Sequence, residues 1–398
     1  MQFATRLQNL DRNVFADMDR AKTQARNAGK EIIDLSLGSA DLPVAESTIK
    51  VIETALHNPD THGYLLHAAT KDFREAAAKW YSDRFGIAVD PQTEVLQLIG
   101  SQEGTAHLPL AILNPGDVAL LLDPGYPSHA GGVYLAGGDI YPMPLLAENN
   151  FLPVLKDIPE QVLSKSKMMV LSYPHNPTTA IAPLSFFEEV VSFCRQHDLV
   201  LVHDFPYVDL VFTDSHSTPI NTLAPSIFQA DPQKELSIEF FTLSKSYNMG
   251  GFRIGYAIGN QNLINALRQI KAVVDFNQYR GILDGAIAAM SGSQQAVAQT
   301  VATFQQRRDV FIQALEAIGW HVPSPIATMY VWAKLPPAWQ NNSVDFCTKL
   351  VAATGVAISP GAGFGSSGEG YVRFALVREP DVLQQAVIKI KEFLTTSA

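Results

Sequence analysis

The sequence predicts an α/β fold in which a large domain has a mostly parallel central sheet covered by helices, and a smaller domain has an α+β architecture. Two observations lead to this prediction. Short apolar runs alternate with helical stretches between residues 95 and 242, a pattern typical of parallel strands that are buried on both faces. The chain also has 398 residues, 47% of them hydrophobic, which is too long for one simple core and enough to form two.

Composition narrows the classes of function. The formal net charge is −10 and the basic residues form no run, so a nucleic acid is not expected as a partner. Cys194 and Cys347 lack the spacing of a disulfide framework or a metal site, and we expect both to be buried in a protein from a reducing compartment. No apolar run has the length of a signal-peptide core or of a membrane span. The cytoplasm is therefore the expected location.

The N-terminal part predicts a polar helix over residues 12–29 and a strand over residues 32–37, followed by Gly38. A turn that needs a positive φ angle is one explanation for Gly38. His62 and His67 precede a helix predicted over residues 70–85, and no further ligand is spaced to complete a metal site with them. We therefore expect no bound metal.

The strands of the large sheet are predicted over residues 95–99, 118–122, 168–171, 199–203 and 237–242. The carboxyl ends of parallel strands form the ligand-binding edge of such a sheet. Ser101 and Gln102 follow the first strand at the start of a helix, where backbone amides can bind an anion, although a simple helix cap is an alternative. Tyr126 follows the second strand between two prolines, and packing within that loop is its alternative role.

Two further strands end in residues that suit a ligand. Asn176 lies in an Asn-Pro turn, and its amide can donate a hydrogen bond to an anionic oxygen without adding a net charge. Asp204 ends an almost wholly apolar strand, where a carboxylate is costly unless it is paired. A helix cap or a turn before Pro206 is the alternative explanation for Asp204.

Residues 238–256, IEFFTLSKSYNMGGFRIGY, predict a strand, a turn and a second strand that carries Arg253. Lys245 lies on the connection, next to hydroxyl groups and close to glycines. Burial near the end of a strand favours the neutral amine of a lysine, and only the neutral amine is a nucleophile that can form an imine. The guanidinium of Arg253 and the hydroxyl groups of Thr242 and Ser244 suit the oxygen atoms of a phosphate.

The C-terminal part predicts a helical stretch to about residue 276, an interruption near Asn277, and a longer helical stretch to Trp320 that joins the two domains. Strands over residues 329–333 and 371–376 and helices over 343–354 and 380–394 complete the small domain. We predict an N-terminal arm with part of the small domain (1–46), a large domain (47–285) and a small C-terminal domain (286–398).

Residues 363–368, GFGSSG, match the G-x-G-x-x-G pattern of dinucleotide-binding proteins. That pattern needs a helix directly after it, whereas the next residues, EGYVRF, predict a strand. We therefore interpret the segment as a loop before Arg373. A guanidinium can bind a carboxylate through two hydrogen bonds, although an arginine in a strand is more often exposed at a sheet edge.

The motif around Lys245, SKSYNMGGFRIGY, resembles the lysine signature of the class I aminotransferases, which are pyridoxal 5'-phosphate (PLP) enzymes of fold type I. The resemblance extends from Gly38 to Arg373, and the motifs follow the order of the family. It implies that Lys245 forms a Schiff base with PLP and that Arg253 binds the cofactor phosphate. It also implies that Asp204 keeps the ring nitrogen of PLP protonated, which makes the ring an electron sink.

The resemblance assigns further residues. It implies a catalytic set of Lys245, Asp204 and Tyr126, with Tyr126 stacked on the PLP ring. The other implied PLP contacts are Ser101, Gln102, Thr242 and Ser244 at the phosphate, and Asn176 and Tyr207 at the phenolate oxygen. Tyr64 is implied to reach the PLP phosphate of a partner subunit in a homodimer, and the N-terminal segment is implied to cross to that subunit.

For the substrate, the resemblance implies that Gly38, Asn176 and Arg373 bind the α-carboxylate. Arg280 stands close to where some relatives place an arginine for a second carboxylate, although a helix-end cation is an equally good explanation. We therefore predict amino transfer between an amino acid and a 2-oxo acid, with 2-oxoglutarate as the acceptor. Residues 65–67, Leu-Leu-His, differ from the family pattern and leave the specificity of the pocket open.

Three other functions remain as alternatives. A PLP-dependent C–S lyase or decarboxylase is the nearest, because one fold supports many reactions. A PLP-binding regulator is disfavoured by the intact Lys245 and by the lack of a DNA-binding segment. A nicotinamide-dependent dehydrogenase rests only on residues 363–368.

Overall fold

The computed structural model describes residues 1, 3–10, 14–212 and 223–396. The predicted N-terminal helix begins at Arg12, which lies outside these residues. The strands, in chain order, are β1 (Ile33–Asp34), β2 (Val95–Leu98), β3 (Val118–Asp123), β4 (Asp139–Pro144), β5 (Ser166–Leu171), β6 (Val200–Asp204), β7 (Ser237–Thr242), β8 (Gly255–Gly259), β9 (Tyr330–Lys334), β10 (Val356–Ala357), β11 (Ser359–Pro360) and β12 (Tyr371–Ala375).

The α-helices, again in chain order, are α1 (Val14–Asn27), α2 (Glu46–Leu56), α3 (Lys71–Phe85), α4 (Ser101–Ile112), α5 (Pro127–Ala136), α6 (Glu160–Leu163), α7 (Leu184–Gln196), α8 (Gln261–Val274), α9 (Arg280–Ser291), α10 (Gln295–Ala317), α11 (Ser343–Thr354) and α12 (Pro380–Thr396). Among the helices of the described ranges, none combines the length and the apolar character needed to cross a membrane.

The central sheet has seven strands in the order β2-β8-β7-β6-β5-β3-β4. Strands β7, β6, β5, β3 and β4 are parallel to one another, whereas β8 is antiparallel to both β7 and β2. This mostly parallel sheet with helices around it confirms the predicted fold class. The connection between the antiparallel strands β7 and β8 carries Lys245, as the strand–turn–strand pattern predicts.

Both faces of the sheet are buried. Successive side chains of a strand point to opposite faces, so neighbouring residues of one strand belong to different apolar cores. Leu120, Met169 and Leu201, on three neighbouring strands, belong to one apolar core. The residues after the first two, Leu121 and Val170, belong to a second core on the other face. The near-continuous apolar runs in the sequence reflect this double burial.

Strand β4 was not predicted from the sequence, and its segment DIYPMP contains Pro142 and Pro144. Proline has no amide hydrogen for a sheet and is restricted to edge strands. β4 lies at the edge of the sheet, beside β3 only. An edge position therefore explains how the prolines are accommodated.

The small domain is built from both ends of the described chain. Its sheet has the order β11-β12-β9 and is antiparallel, and β1 pairs with β10 in parallel next to it. Leu35 near the N-terminus packs in one apolar core with Phe304 and Phe374. Met290 belongs instead to the core of the large domain. We propose α10 as the joint between the domains, and the boundaries at residues 46 and 285 stay a prediction.

Two predicted elements differ from the structure. The strand over residues 32–37 is only two residues long, β1. The helical stretch to Trp320 is broken, because α9 ends before Gly292 and α10 begins at Gln295. A Cβ atom on Gly292 would lie 2.6 Å from the carbonyl oxygen of Ala288, so this residue suits the close turn that ends α9.

The N-terminal segment contacts α5 of its own chain, and its crossing to a partner subunit stays a prediction. A short 3-10 helix, Thr5–Asn9, packs beside α5 of the same chain. The guanidinium of Arg6 donates a hydrogen bond of 3.1 Å to the carbonyl oxygen of Leu135 at the end of that helix.

Candidate active site

Lys245 lies at the junction of the two domains. Its Nζ atom donates a 2.7 Å hydrogen bond to the carbonyl oxygen of Gly38 and lies 5.6 Å from the ring centre of Tyr207. Gly38 has no positive φ angle, so the turn explanation is wrong. A Cβ atom there would lie 1.9 Å from the hydroxyl oxygen of Tyr330. Glycine is therefore needed for the close approach of the chain to this tyrosine.

Asp204 is the last residue of β6 and is 5% exposed. Its Oδ2 atom lies 3.0 Å from Nε2 of His129, on α5. Its Oδ1 atom is buried and has no hydrogen-bond partner within the described part of the chain. A buried carboxylate oxygen without a donor is costly, so the site suits a ligand that presents a positively charged N–H group. The helix-cap and turn explanations for Asp204 are wrong.

A compact anion-binding cradle forms where α4 begins. Gly100, with φ 79°, precedes the first helical residue, Ser101. A Cβ atom on Gly100 would lie 2.6 Å from Nη2 of Arg253, and one on Gly255 would lie 2.8 Å from the amide nitrogen of Ser101. The structure thus brings the guanidinium of Arg253 to the amino end of α4, where backbone amides favour an anion.

Arg253 itself lies outside the strand in which it was predicted. Its φ of 55° and ψ of 60° are left-handed, and β8 begins two residues later. Its carbonyl oxygen accepts a 3.0 Å hydrogen bond from Nε2 of Gln278. Thr242 and Ser244 lie beside this turn with their hydroxyl oxygens 2.9 Å apart. The predicted phosphate ligands therefore lie close together, and Gln102, for which a backbone-amide contact is predicted, is the second residue of α4.

Tyr126 precedes α5 and is 36% exposed. Its ring centre lies 5.6 Å from that of His129, and the two rings meet edge to face at 82°. Partial burial raises the pKa of Tyr126 above its ordinary value. Tyr126 therefore adjoins the Asp204–His129 pair through His129, and its stacking role stays a prediction.

A pair of buried tyrosines lies next to Lys245. The hydroxyl oxygens of Tyr207 and Tyr330 are 2.9 Å apart. Burial raises the pKa of Tyr207. Burial opposes ionisation of Tyr330 too, but the positive charges of Lys245 and Arg373 and the hydrogen bond with Tyr207 lower its pKa. Either hydroxyl group can be the donor of this hydrogen bond. Sequence reasoning missed Tyr330, because nothing local to β9 indicates a contact with a residue so distant along the chain.

Arg373 is on β12, the middle strand of the small sheet, and is 6% exposed, so the sheet-edge explanation is wrong. Its Nη1 donates to Oδ1 of Asn176 at 2.8 Å and its Nη2 donates to the carbonyl oxygen of Ser36 at 2.7 Å. Its Nε is buried and has no partner among the described residues. The guanidinium lies 4.3 Å from the ring centre of Tyr330. Lys245 and Arg373 thus both lie next to the tyrosine pair, and Asn176 contacts Arg373.

Two predicted site residues are not brought to this group within one chain. Tyr64 is 94% exposed, and its ring lies 6.2 Å from that of Phe276. Arg280 is the first residue of α9, with its Nε 3.8 Å from Oδ1 of Asp284. Within the chain, Arg280 is therefore the helix-end cation of the alternative explanation.

A cluster of possible metal ligands, Glu103, His107 and Asp275, lies between α4 and α8. The ammonium group of Lys271 lies 2.9 Å from both carboxylate oxygens of Glu103 and 3.0 Å from Oδ1 of Asp275. A cation is thus already supplied by the protein. Sequence reasoning missed this buried pair, because Glu103 and Lys271 resemble ordinary helix-surface charges.

Residues 363–368 form turns of two short 3-10 helices and lead into β12. The dinucleotide-binding explanation needs an α-helix at this point and is therefore rejected.

The residues present fit PLP. The unpaired Oδ1 of Asp204 suits the protonated ring nitrogen, the cradle at Ser101 and Arg253 suits the phosphate, and the amine of Lys245 suits the aldehyde carbon. A mostly parallel sheet that presents these groups at its strand ends defines a PLP-dependent enzyme of fold type I.

Comparisons with known proteins agree with this class. The family model described as aminotransferase class I and II matches residues 30–390. The LL-diaminopimelate aminotransferase of Dehalococcoides mccartyi (strain ATCC BAA-2266) is 42% identical over 393 residues, 99% of each chain. A probable N-succinyldiaminopimelate aminotransferase from Thermus thermophilus has a TM-score of 0.89 at 41% identity, covering 95% of this chain and 99% of that chain. Substrate-bound BacF from Bacillus subtilis has a TM-score of 0.93 at 31% identity, covering 99% and 98%.

The chain belongs to the class I and II aminotransferase family. It is a PLP-dependent aminotransferase that acts on small-molecule amino acids and 2-oxo acids. The lyase and decarboxylase alternative is not favoured, because the curated relatives that match over the full length are aminotransferases.

Proposed function

We propose that this aminotransferase moves the amino group of an acidic or diaminopimelate-like amino acid to a dicarboxylic 2-oxo acid, with 2-oxoglutarate as the acceptor. The observation that carries the proposal is the convergence of Lys245 and Arg373 on the Tyr207–Tyr330 pair. The amine of Lys245 and the buried guanidinium of Arg373 both lie next to this tyrosine pair. They therefore suit a substrate with both an amino group and a carboxylate. The names of the full-length relatives support diaminopimelate as a donor.

Each residue has a distinct part in this proposal. When bound, PLP supplies the electron sink that stabilises negative charge at the substrate Cα. Lys245 would hold the cofactor covalently, and when Lys245 is released from the cofactor its amine would move a proton to and from Cα. Asp204, oriented by His129, accepts a hydrogen bond from the ring nitrogen. Arg373 and Asn176 hold the α-carboxylate, with Gly38 beside them.

The other cofactor contacts follow the same division. Ser101, Gln102, Thr242, Ser244 and Arg253 hold the phosphate, Asn176 and Tyr207 hold the phenolate oxygen, and Tyr126 packs on the ring. We further propose a cytoplasmic homodimer. The buried free thiols of Cys194 and Cys347 support a reducing compartment, and the almost fully exposed Tyr64 supports a role in a partner's site.

The substrate proposal is tested by screening donors against acceptors. Purified enzyme with PLP is incubated with LL-diaminopimelate, aspartate, glutamate or alanine, each combined with 2-oxoglutarate, oxaloacetate or pyruvate, and the new amino acid is quantified. We expect the fastest transfer from a donor with a second charged end to 2-oxoglutarate. Faster transfer between alanine and pyruvate than between any dicarboxylic pair would contradict the proposal.

The second carboxylate is assigned to Arg280 of the other subunit, because Arg280 lies away from Lys245 in its own chain. A charge-assisted hydrogen bond contributes roughly 1.5 to 3 kcal/mol, so Arg280→Ala should lower kcat/KM for dicarboxylic substrates by about 10- to 150-fold while alanine is spared. Arg268→Ala, on the exposed face of α8, is the matched control. Equal losses for alanine and glutamate would remove Arg280 from the pocket.

A further inference from the structure

Residues 361–368 of the small domain contact the large domain at the carboxyl end of β3. Asp123, the last residue of β3, is 6% exposed. Its Oδ2 accepts a 2.7 Å hydrogen bond from the hydroxyl of Ser366, and its Oδ1 accepts a 3.1 Å hydrogen bond from the amide of Ser367. The two residues after Asp123 extend the contact, because the amide of Gly125 donates to the carbonyl oxygen of Phe364 at 2.7 Å.

The fit between the carboxylate and the loop is close. Gly365 has a φ of 136°, and a Cβ atom on it would lie 2.0 Å from Oδ1 of Asp123. A Cβ atom on Gly368 would lie 2.3 Å from the carbonyl oxygen of Gly361 and 3.3 Å from Cβ of Pro124. The glycines that match the dinucleotide-binding pattern are thus needed because the loop passes very close to the carboxylate of Asp123 in the same chain.

The other end of the loop is tied to the small domain. Glu369 accepts a 2.7 Å hydrogen bond from the amide of Ser343, at the start of α11. The hydroxyl of Ser343 in turn accepts a 3.2 Å hydrogen bond from the amide of Ala362. The loop therefore has one anchor in each domain, Glu369 in the small domain and Asp123 in the large one.

Phe364 connects this contact to the substrate site. The guanidinium of Arg373 lies 4.7 Å from the ring centre of Phe364, and the carbonyl oxygen of Phe364 accepts the hydrogen bond from Gly125. Gly125 directly precedes Tyr126. A displacement of the loop from Asp123 would therefore shift an aromatic ring that packs on Arg373.

We propose that Asp123 and residues 361–368 form a latch between the domains that positions Phe364, and through it Arg373, for binding of the substrate carboxylate. Asp123 is a positioning residue in this proposal. The proposal rests on the proposed role of Arg373.

The test measures binding of glutarate, a dicarboxylate without an amino group, to the PLP-loaded enzyme, together with hydrogen exchange of residues 361–368. Asp123→Asn keeps the shape but replaces one acceptor by a donor that faces the loop donors. The substitution removes the charge-assisted hydrogen bonds between Asp123 and the loop, so Phe364 and Arg373 lose their position. We therefore expect glutarate to bind about 10- to 100-fold more weakly. Exchange in the loop should rise, whereas the absorption spectrum of the bound cofactor should be that of the parent enzyme. Asp139→Asn, an exposed position at the start of β4, should change none of these.

Two further variants separate the possible outcomes. Ser366→Ala removes one hydrogen bond to Asp123, so it should give a smaller loss, and adding it to Asp123→Asn should weaken binding little further. Arg373→Lys should also weaken glutarate binding. If Arg373→Lys weakens binding and Asp123→Asn does not, the latch is wrong and the proposed role of Arg373 stands. If Arg373→Lys has no effect, both are wrong. A loss of cofactor absorption in Asp123→Asn would show general disruption and overturn the latch.

Discussion

At the scale of single residues, the site is marked by buried polar atoms that lack partners. Oδ1 of Asp204 and Nε of Arg373 are both buried without a hydrogen bond in the described part of the chain. One is an acceptor on the large domain and the other is a donor on the small domain. Their chemistry is complementary to the two ends of the reacting system, a protonated ring nitrogen and a carboxylate.

Asp204→Asn should weaken cofactor binding without unfolding the protein. The amide keeps the shape of the side chain but loses the charge that pairs with the ring nitrogen, so we expect PLP to bind about 10- to 150-fold more weakly, with a parallel fall in turnover. Titration of the apoenzyme with PLP measures the first effect. Asp198→Asn, exposed just before β6, is the control. Unchanged PLP affinity in Asp204→Asn would contradict this assignment.

His67 should make the protein less stable in acid. Burial, with help from the charges of Arg74 and Arg268, lowers the pKa of His67 from 6.5 to about 4. Between pH 6.5 and about 4, the unfolded chain binds a proton at this histidine that the folded protein does not. The free energy of unfolding therefore has its full value above pH 6.5 and decreases as the pH falls towards 4. Allowing for partial exposure, this cost is about 1 kcal/mol near pH 5.

Urea unfolding of the PLP-loaded enzyme at neutral and acidic pH measures the effect of His67. His67→Gln should lose less stability on acidification than the parent enzyme. His57→Gln, at an exposed histidine, should behave like the parent. If both variants show the same pH dependence, the environment of His67 is not the cause.

At the residue level, the positions of Lys245 and Asp204 in the fold were predicted, because each functional group lies at or after the end of an apolar strand, while their roles stay predictions. A carboxylate or an amine in such a place needs a special explanation, and the sequence shows the place directly. Prediction failed where the contact is made by tertiary structure. The approach of Gly38 to Tyr330 and the left-handed backbone of Arg253 depend on distant segments, so local patterns carry no sign of them.

At the scale of elements, the antiparallel strand β8 lies between the segment that carries Lys245 and the proposed phosphate site at the start of α4. β8 lies between β7 and β2, so it separates the strand before Lys245 from the strand before Ser101. Gly255, its first residue, lies under the amino end of α4. A Cβ atom there would be 2.5 Å from the carbonyl oxygen of Phe241 and 2.8 Å from the amide nitrogen of Ser101.

Gly255→Ala should therefore destabilise the protein and weaken PLP binding together. Overpacking of a close contact typically costs about 1 to 3 kcal/mol, and here the displaced group is an amide of the phosphate cradle. Gly251→Ala is the matched control, because a Cβ atom at Gly251 meets nothing within 4 Å. Urea unfolding of the apoenzyme and PLP titration measure the two effects. Similar results for the two variants would refute the role of Gly255.

Element prediction was reliable for long, periodic or buried segments and weak elsewhere. The helix expected over residues 70–85 is α3, and the five predicted strands of the large sheet are present. The edge strand β4 and the break at Gly292 were missed. In both cases tertiary context decides, since prolines are tolerated only where a strand has one free side and a helix is interrupted where the chain must turn.

At the scale of the whole molecule, one chain leaves the proposed site incomplete. Tyr64 is almost fully exposed, and Arg280 lies away from the Lys245 group. The family resemblance predicts that Tyr64 acts on the other subunit, and we propose the same for Arg280. A shared site could be predicted from the order of the family motifs. It could not be predicted from composition or periodicity, because a surface contact between chains has no local sequence pattern.

Hybrid dimers test the shared site. Tyr64→Phe dimers and Lys245→Ala dimers are mixed at limiting PLP after subunit exchange. If Tyr64 serves the partner's site, each hybrid has one site free of both substitutions, and about a quarter of all sites should regain parental activity. Mixing Asp204→Asn with Lys245→Ala is the control and should restore nothing, because these two residues belong to the same chain's site. No recovery with Tyr64→Phe after proven exchange would refute sharing.

The pairing of β1 with β10 has a consequence for how the protein is made. Ile33 lies opposite Val356, and Ser36 accepts its hydrogen bond from Arg373. Domains form largely in the order of their synthesis, and contacts distant along the chain form late. The large domain can thus fold on the ribosome while the segment around residues 33–36 still waits for its partners. The proposed carboxylate-binding side of the pocket is then the last part to be assembled, after Lys245 and the proposed phosphate site are already in place.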